Sequence, residues 1–321
     1  MLKGKDLCKL SKQDSSSVCC LLERLNKLVN MGETVETTSV TKTDNEEGYA
    51  EVPPGEDIQS IELRSYFIKP DQFEGIEVLD DKCGKVEGAP NFRQVDGFPV
   101  FGTGQPTEEG MVKILNHIRK EKEHEKIIWF SMRQEPIVYV NGSPYAPRAP
   151  GHPHANIITD LDADQTNSVC MHLANVLKKR VDKEDKTIKI HVDKEFAENP
   201  MDRIDLEESI VVDSIKDLDS VYDICREKSN VNLQVVHIPV LEDHVPPESC
   251  FDTIISVLKN EPASIPCVFS CQMGKGRTTV GMLVACLVKE IQLTTELRYV
   301  SRLMSNQMII VRGLINFVRP F

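Results

Sequence analysis

The last third of the chain constrains its fold most. Val231–Val240 (VNLQVVHIPV) reads as a strand and is followed by the loop LEDHVPPES. Phe251, Ile254, Ile255 and Leu258 then fall at i, i+3, i+4 and i+7, the stripe of a half-buried helix. Pro266–Ser270 (PCVFS) is a short apolar strand, and the loop CQMGKGR leads into a second apolar helix, VGMLVACLVKEI. Strand–loop–helix–strand–loop–helix predicts parallel strands joined by a right-handed crossover. In such sheets ligands bind outside the carboxyl ends of the strands. Both loops leave carboxyl ends, so they are expected to share one face of an α/β domain.

The same alternation runs through residues 61–321, which are expected to form one domain. Phe98–Thr103 (FPVFGT) fits a strand. Thr107 fits an N-cap, with Glu108 and Glu109 in the first turn and Met111, Ile114, Leu115 and Ile118 on one face. Ile127–Phe130 (IIWF) is a continuous apolar run, as in a strand covered on both sides. Cys170–Lys179 reads as helix and Thr187–Val192 as strand, and Ile215, Leu218, Val221 and Tyr222 mark another helix. The predicted architecture is a central, mostly parallel sheet flanked by helices.

Residues 1–60 differ. Val18–Val29 places Leu21, Leu25 and Leu28 on one helical face, suited to docking on this chain's own core or on a neighbouring domain. Peripheral membrane contact is the sharper alternative, and it is weakened by the few cations on the polar face. Between Glu33 and Ser60 stand eight carboxylates and one lysine, a composition expected to stay disordered as a linker.

The 321 residues carry a net charge of −12 and 40% hydrophobic side chains, enough for a sizeable core. That acidity argues against a nucleic-acid binder, which needs a basic face to displace counterions. The first residues lack the apolar segment of a signal peptide, and the longest uncharged apolar-rich run is too short to cross a bilayer. A cytosolic chain with reduced thiols is therefore expected. Of its ten cysteines no two form a CxxC pair, so ordinary zinc and thioredoxin-type readings drop out, and no metal or cofactor is expected.

Cys271 is the cysteine with an arginine, Arg277, six positions on. Gly274 and Gly276 let the backbone between them turn tightly and point successive N–H groups inward, and the following helix adds its positive N-terminal end. Arg277 can hold two oxygens of a phosphate. In that field Cys271 is expected to ionise more readily than a free thiol and to attack phosphorus in line, giving a phosphocysteine. The backbone of Gln272, Met273, Gly274, Lys275 and Gly276 would cradle the charged oxygens, and Thr278 could donate its hydroxyl to the departing thiolate. Asp243 on the neighbouring loop is the expected general acid and later base, with Glu242 adjacent and His244 able to orient the substrate.

These residues resemble the protein-tyrosine-phosphatase superfamily, whose loop is C-x5-R. SCQMGKGRTTVGM, NFRQVDGFPVFGTGQPT, IIWFSMRQEPIVYVNGSPY and LEDHVPP together resemble its cysteine-dependent, phytase-like inositol phosphatase branch. The resemblance runs from about Cys83 to the C-terminus. It implies phosphomonoesterase activity toward inositol phosphates or phosphoinositides, with Cys271 as nucleophile, Arg277 as phosphate clamp and Asp243 as acid. Arg93 of NFR matches a basic residue that can reach substrate phosphates. Arg133 and Glu135 match a recurrent string, read either as a buried ion pair that fixes the loop or as substrate contacts. Lys275 fits a polyanionic ring. The usual residue before the nucleophile is histidine; here it is Ser270, which predicts a less activated thiolate. A catalytically weak phosphate-binding signalling module and a protein-tyrosine phosphatase remain the alternatives. The branch includes proteins with two such units in tandem, whereas this chain has one. It ends soon after an apolar run (MIIVRGLINFV) that predicts a helix in need of a partner, so a piece or short form of a longer protein is expected. The oligomeric state has no sequence signal.

Overall fold

The computed structural model describes residues 49–51, 66–72, 76, 85–122, 126–149, 156–158, 162–196, 199–242, 244 and 246–295. The expected helix Val18–Val29, the acidic stretch apart from 49–51, the apolar run near the C-terminus and Asp243 lie outside these residues. In chain order the first elements are β1 (Tyr49–Glu51), β2 (Phe67–Pro70), β3 (Arg93–Gln94), β4 (Val100–Thr103), α1 (Glu108–Lys122) and β5 (Lys126–Arg133). Next come β6 (Val138–Val140), β7 (Ser143–Arg148), β8 (Asn156–Ile158), α2 (Ala163–Arg180), β9 (Thr187–Phe196) and β10 (Asn199–Val211). The last are β11 (Ile215–Lys216), α3 (Leu218–Ser229), β12 (Asn232–Val240), α4 (Glu248–Leu258), β13 (Cys267–Ser270) and a helix, α5, over 276–295.

The central sheet has the order β12-β5-β13-β4-β3. Its first four strands are parallel, and β3 closes the edge antiparallel to β4. Successive residues of a strand point to opposite faces, and β5 uses both. Ile127 and Trp129 pack with Met111, Leu115, Val221 and Tyr222 of α1 and α3. Ile128, Phe130 and Met132 pack with Ile254, Leu258, Met282 and Ala285 of α4 and α5. Two apolar layers on one strand explain the unbroken IIWF run. On the second face Phe130 stacks on Phe269, ring centres 4.7 Å apart, and Gly281 lets α5 approach. A Cβ at Gly281 would stand 2.4 Å from the Phe269 ring.

A second sheet, β11-β6-β7-β2, packs Ile68, Val138 and Val140 against Leu173 and Leu177 of α2. Here the structure corrects two boundaries. Ile215 belongs to β11, not to a helix: the Asp217 carboxylate accepts the Ser220 N–H at 2.9 Å and starts α3 at Leu218. Helix α2 begins at Ala163, well before Cys170, because Asp162 and Gln165 form a capping box. Its polar first turns hide it from any apolar periodicity. The strand expected over Thr187–Val192 runs on to Phe196 and pairs antiparallel with β10. The carboxylate-rich sequence of β10 gives no strand signal. No helix of the described residues is long and apolar enough to cross a membrane.

Candidate active site

Strands β5, β12 and β13 all run parallel, and the segments leaving their carboxyl ends carry Glu135, Glu242 and Cys271. Cys271 follows β13 directly, and its Sγ accepts from the Thr278 hydroxyl at 3.1 Å and from the Gly274 N–H at 3.3 Å. Both donors favour negative charge on sulfur. Gly274 has φ +75°, and a Cβ there would lie 2.2 Å from the Gly104 nitrogen, so both its conformation and its surroundings require glycine.

The string NFRQVDGFPVFGTGQ shapes this loop from outside. The Gln272 carbonyl accepts the Gln105 N–H at 2.8 Å, the Met273 carbonyl accepts Asn91 Nδ2 at 2.8 Å, and the Gly274 carbonyl accepts Arg93 Nη1 at 2.6 Å. In a trans peptide the N–H points opposite to the carbonyl. Three successive carbonyls tied outward therefore turn the N–H groups of Met273, Gly274 and Lys275 inward. Arg93 also reaches the Thr279 hydroxyl at 2.8 Å, so the contacts of its guanidinium described here brace the loop.

Arg277 is 8% exposed, and its Nη1 donates to Glu135 Oε1 at 2.7 Å and to the Val240 carbonyl at 2.8 Å. Burial works against its charge, but Glu135 and Cys271 outweigh this and hold its pKa above the ordinary arginine value. Behind it, Arg133 clamps Asp71 with two bonds of 2.6 and 2.9 Å and lies 3.6 Å from Glu135 Oε2. The RQE string is thus a buried ion-pair relay that orients Arg277. The Gln272 side chain joins it, donating to Asp71 at 3.1 Å and accepting from Asn156 at 2.7 Å. Asp71 and Asn156 carry no signal in the sequence, since each lies more than 100 positions from the loop it supports.

A pocket of about 680 Å³ opens over the sulfur. Met273, Lys275, Gly276 and Arg277 line it from the loop; Glu242, His244, Pro246 and Phe251 line it from the opposite side. His244 Nδ1 lies 2.8 Å from the Glu242 carbonyl, and Glu242 Oε2 accepts from Asn156 at 2.5 Å. Beneath the nucleophile the Ser270 hydroxyl accepts the Trp129 indole N–H at 2.9 Å, a partner that fixes Ser270 in the strand.

Cys271 is buried like the other described thiols, but it lines the pocket. Burial pushes Cys170 up to about 11 and Cys225, Cys267 and Cys286 up to about 12. Alkylation near neutral pH, read by peptide mass spectrometry, is expected to label Cys271 well before these four. Equal labelling would contradict the site's geometry.

Residues 130–289 match the family model of the PTP-like phytases, described as inositol hexakisphosphate. Among curated proteins the chain is 27% identical over 242 residues to Paladin of Danio rerio and 28% identical over 244 residues to Paladin of Homo sapiens. Each alignment covers 70% of this chain and 27% of the relative, so the chain spans about a quarter of their length. Among solved structures, a PTP-like phytase from Bdellovibrio bacteriovorus aligns with a TM-score of 0.40 and 21% identity, covering 60% of both chains. The PTP-like myo-inositol phosphatase of Mitsuokella multacida, solved with myo-inositol-(1,3,4,5)-tetrakisphosphate, aligns with a TM-score of 0.44 and 15% identity, covering 67% of this chain and 35% of that one.

Proposed function

We propose that the chain is a cysteine-dependent phosphatase that hydrolyses phosphomonoesters of inositol phosphates or phosphoinositides in the cytosol. The observation that carries this reading is the Cys271 sulfur, held by Thr278 and Gly274 under a pocket that Arg277 also lines. The Cys271 thiolate attacks phosphorus and the ester P–O bond breaks. Asp243 gives its proton to the leaving oxygen. Water, deprotonated by Asp243, then attacks the phosphocysteine, the S–P bond breaks, and the thiolate returns to the Thr278 hydroxyl. Arg277 and the inward N–H groups stabilise the equatorial oxygens in both steps.

A second reading, a module that binds phosphate with little turnover, draws support from Ser270. Its hydroxyl oxygen is engaged by Trp129. Phosphate release from a panel of inositol phosphates, phosphoinositide vesicles and phosphotyrosine peptides separates the two. The wild-type chain is expected to release phosphate from at least one inositol-based substrate, and Asp243→Asn to slow it by about 10²–10⁴-fold. No release from any substrate would sink the enzyme reading, and preference for the peptides would redirect it to phosphotyrosine.

A further inference from the structure

Beneath the nucleophile lies a cluster of hydroxyls that the proposed chemistry does not use. Ser270 ends β13 and is joined by its own peptide bond to Cys271. Strand register places it beside Ser131 of β5, which in turn stands beside His237 of β12. Side chains alternate along a strand. Ser131 therefore shares the face of Ile127 and Trp129, and Ser270 that of Val268, the face packed on α3. Tyr222 of α3 comes down on this row. Its ring centre lies 6.1 Å from that of Trp129 and meets the His237 ring edge-on at 5.9 Å. His237 Nε2 is 3.1 Å from Asp219, so α3 is tied to β12 one turn before Tyr222.

Tyr222, Ser131 and Ser270 are all buried. The Ser270 oxygen accepts the Trp129 indole N–H at 2.9 Å. A hydroxyl also donates, so Ser270 can give its own proton to a neighbour. Among the described residues the Tyr222 and Ser131 oxygens have no hydrogen-bond partner. Burial raises the Tyr222 pKa, and the hydroxyls of Ser131 and Ser270 work against that rise. The three oxygens thus stand close to one another without being closed into bonds of normal geometry. Two such hydroxyls in a core cost stability, since each has lost water and gained no bond in return. Phenylalanine and alanine would fill the same places without that cost.

Hydrogen bonds at a catalytic site are often slack in the free protein and tighten during the reaction. Resting on the phosphatase reading, we propose that Tyr222 and Ser131 are positioning residues that act on the nucleophile through Ser270. As negative charge gathers in the loop, on the sulfur or on an entering phosphate, their hydroxyls close on Ser270 and fix the peptide that carries Cys271. The sulfur is then held on the Thr278 and Gly274 donors. With the hydroxyls gone, Ser270 is free to shift, those two bonds weaken, and the thiol ionises less readily.

The test compares the full wild-type chain with Tyr222→Phe, Ser131→Ala and Ser270→Ala. Three quantities are measured: the pH dependence of Cys271 alkylation, the melting temperature, and turnover on the best inositol substrate. Tyr222→Phe and Ser131→Ala are each expected to raise the alkylation midpoint by about 0.5 pH unit and to lower kcat by about threefold or more, with KM changed less than about twofold. Both are expected to melt within about 2 °C of the wild type or above it, because the hydroxyls they lose have no partner. Ser270→Ala should shift the midpoint at least as far, and Tyr222→Phe should add nothing to that shift. An unmoved midpoint in either Tyr222→Phe or Ser131→Ala overturns the proposal, whatever happens to the melting temperature. So does a Tyr222→Phe shift that adds in full to that of Ser270→Ala. If the midpoints shift but the wild type releases no phosphate from any substrate, the phosphatase reading fails and the positioning role stands. If turnover is robust and the midpoints stay where they were, the reverse is true.

Discussion

Cys271→Ser is expected to lower turnover by at least about 10⁴-fold while leaving the folded chain able to bind its phosphate ligand. Removal of a nucleophile from a preorganised site typically costs that much or more. Serine keeps the shape of the loop, because the two described donors to Sγ, Thr278 and Gly274, can reach an oxygen instead. Under the proposed mechanism a hydroxyl is a far weaker nucleophile than a thiolate. Rapid-quench phosphate release together with ligand binding on the same preparation checks the result. Turnover surviving within tenfold of wild type would remove Cys271 from the mechanism, whereas loss of both turnover and binding would point to a collapsed loop.

The second large effect is on stability. Arg133 and Asp71 have side chains 1% and 0% exposed, and they form two bonds with each other. Replacing Arg133 with methionine leaves the Asp71 carboxylate buried with Gln272 as its remaining described donor. Breaking a buried pair from one side costs about 3–5 kcal/mol. For a domain of this size each kcal/mol lowers the melting temperature by about 2–4 °C, so a fall of roughly 6–20 °C is expected in a calorimetric scan. The double variant Asp71→Leu with Arg133→Met should recover part of the loss, because no lone charge remains. A shift below about 2 °C for Arg133→Met would show that the pair stabilises nothing. Catalysis should suffer as well, since Arg133 backs the Glu135 carboxylate that orients Arg277.

The parallel strands β12 and β13 and the helix after each were legible because their side chains follow period and turn chemistry within a few residues. The loop was legible for the same reason: Cys271, Gly274 and Arg277 stand within seven positions. What the residues alone did not reveal is support from a distance. Asp71, Asn91, Gln105 and Asn156 look like ordinary polar residues until the sheet brings them to the loop. Arg93 was legible as a basic residue near the site, but the carbonyl it holds depends on the antiparallel pairing of β3 with β4. Elements whose first turns or faces are polar, such as α2 and β10, were missed or shortened because burial there comes from tertiary contacts and capping rather than pattern.

The outward ties on the Gln272, Met273 and Gly274 carbonyls bear on how the chain reaches its native state. Their partners lie far upstream; the bond from Asn91 spans 182 positions, and that from Arg93 spans 181. Contacts of such separation form only after the chain has lost most of its loop entropy, late on the route from the unfolded ensemble. On a ribosome the upstream half of the scaffold must wait for the cysteine loop to emerge, and the loop cannot hold its shape until that half is in place. Recovery of catalytic competence during refolding should therefore trail the burial of Trp129, the chain's single tryptophan.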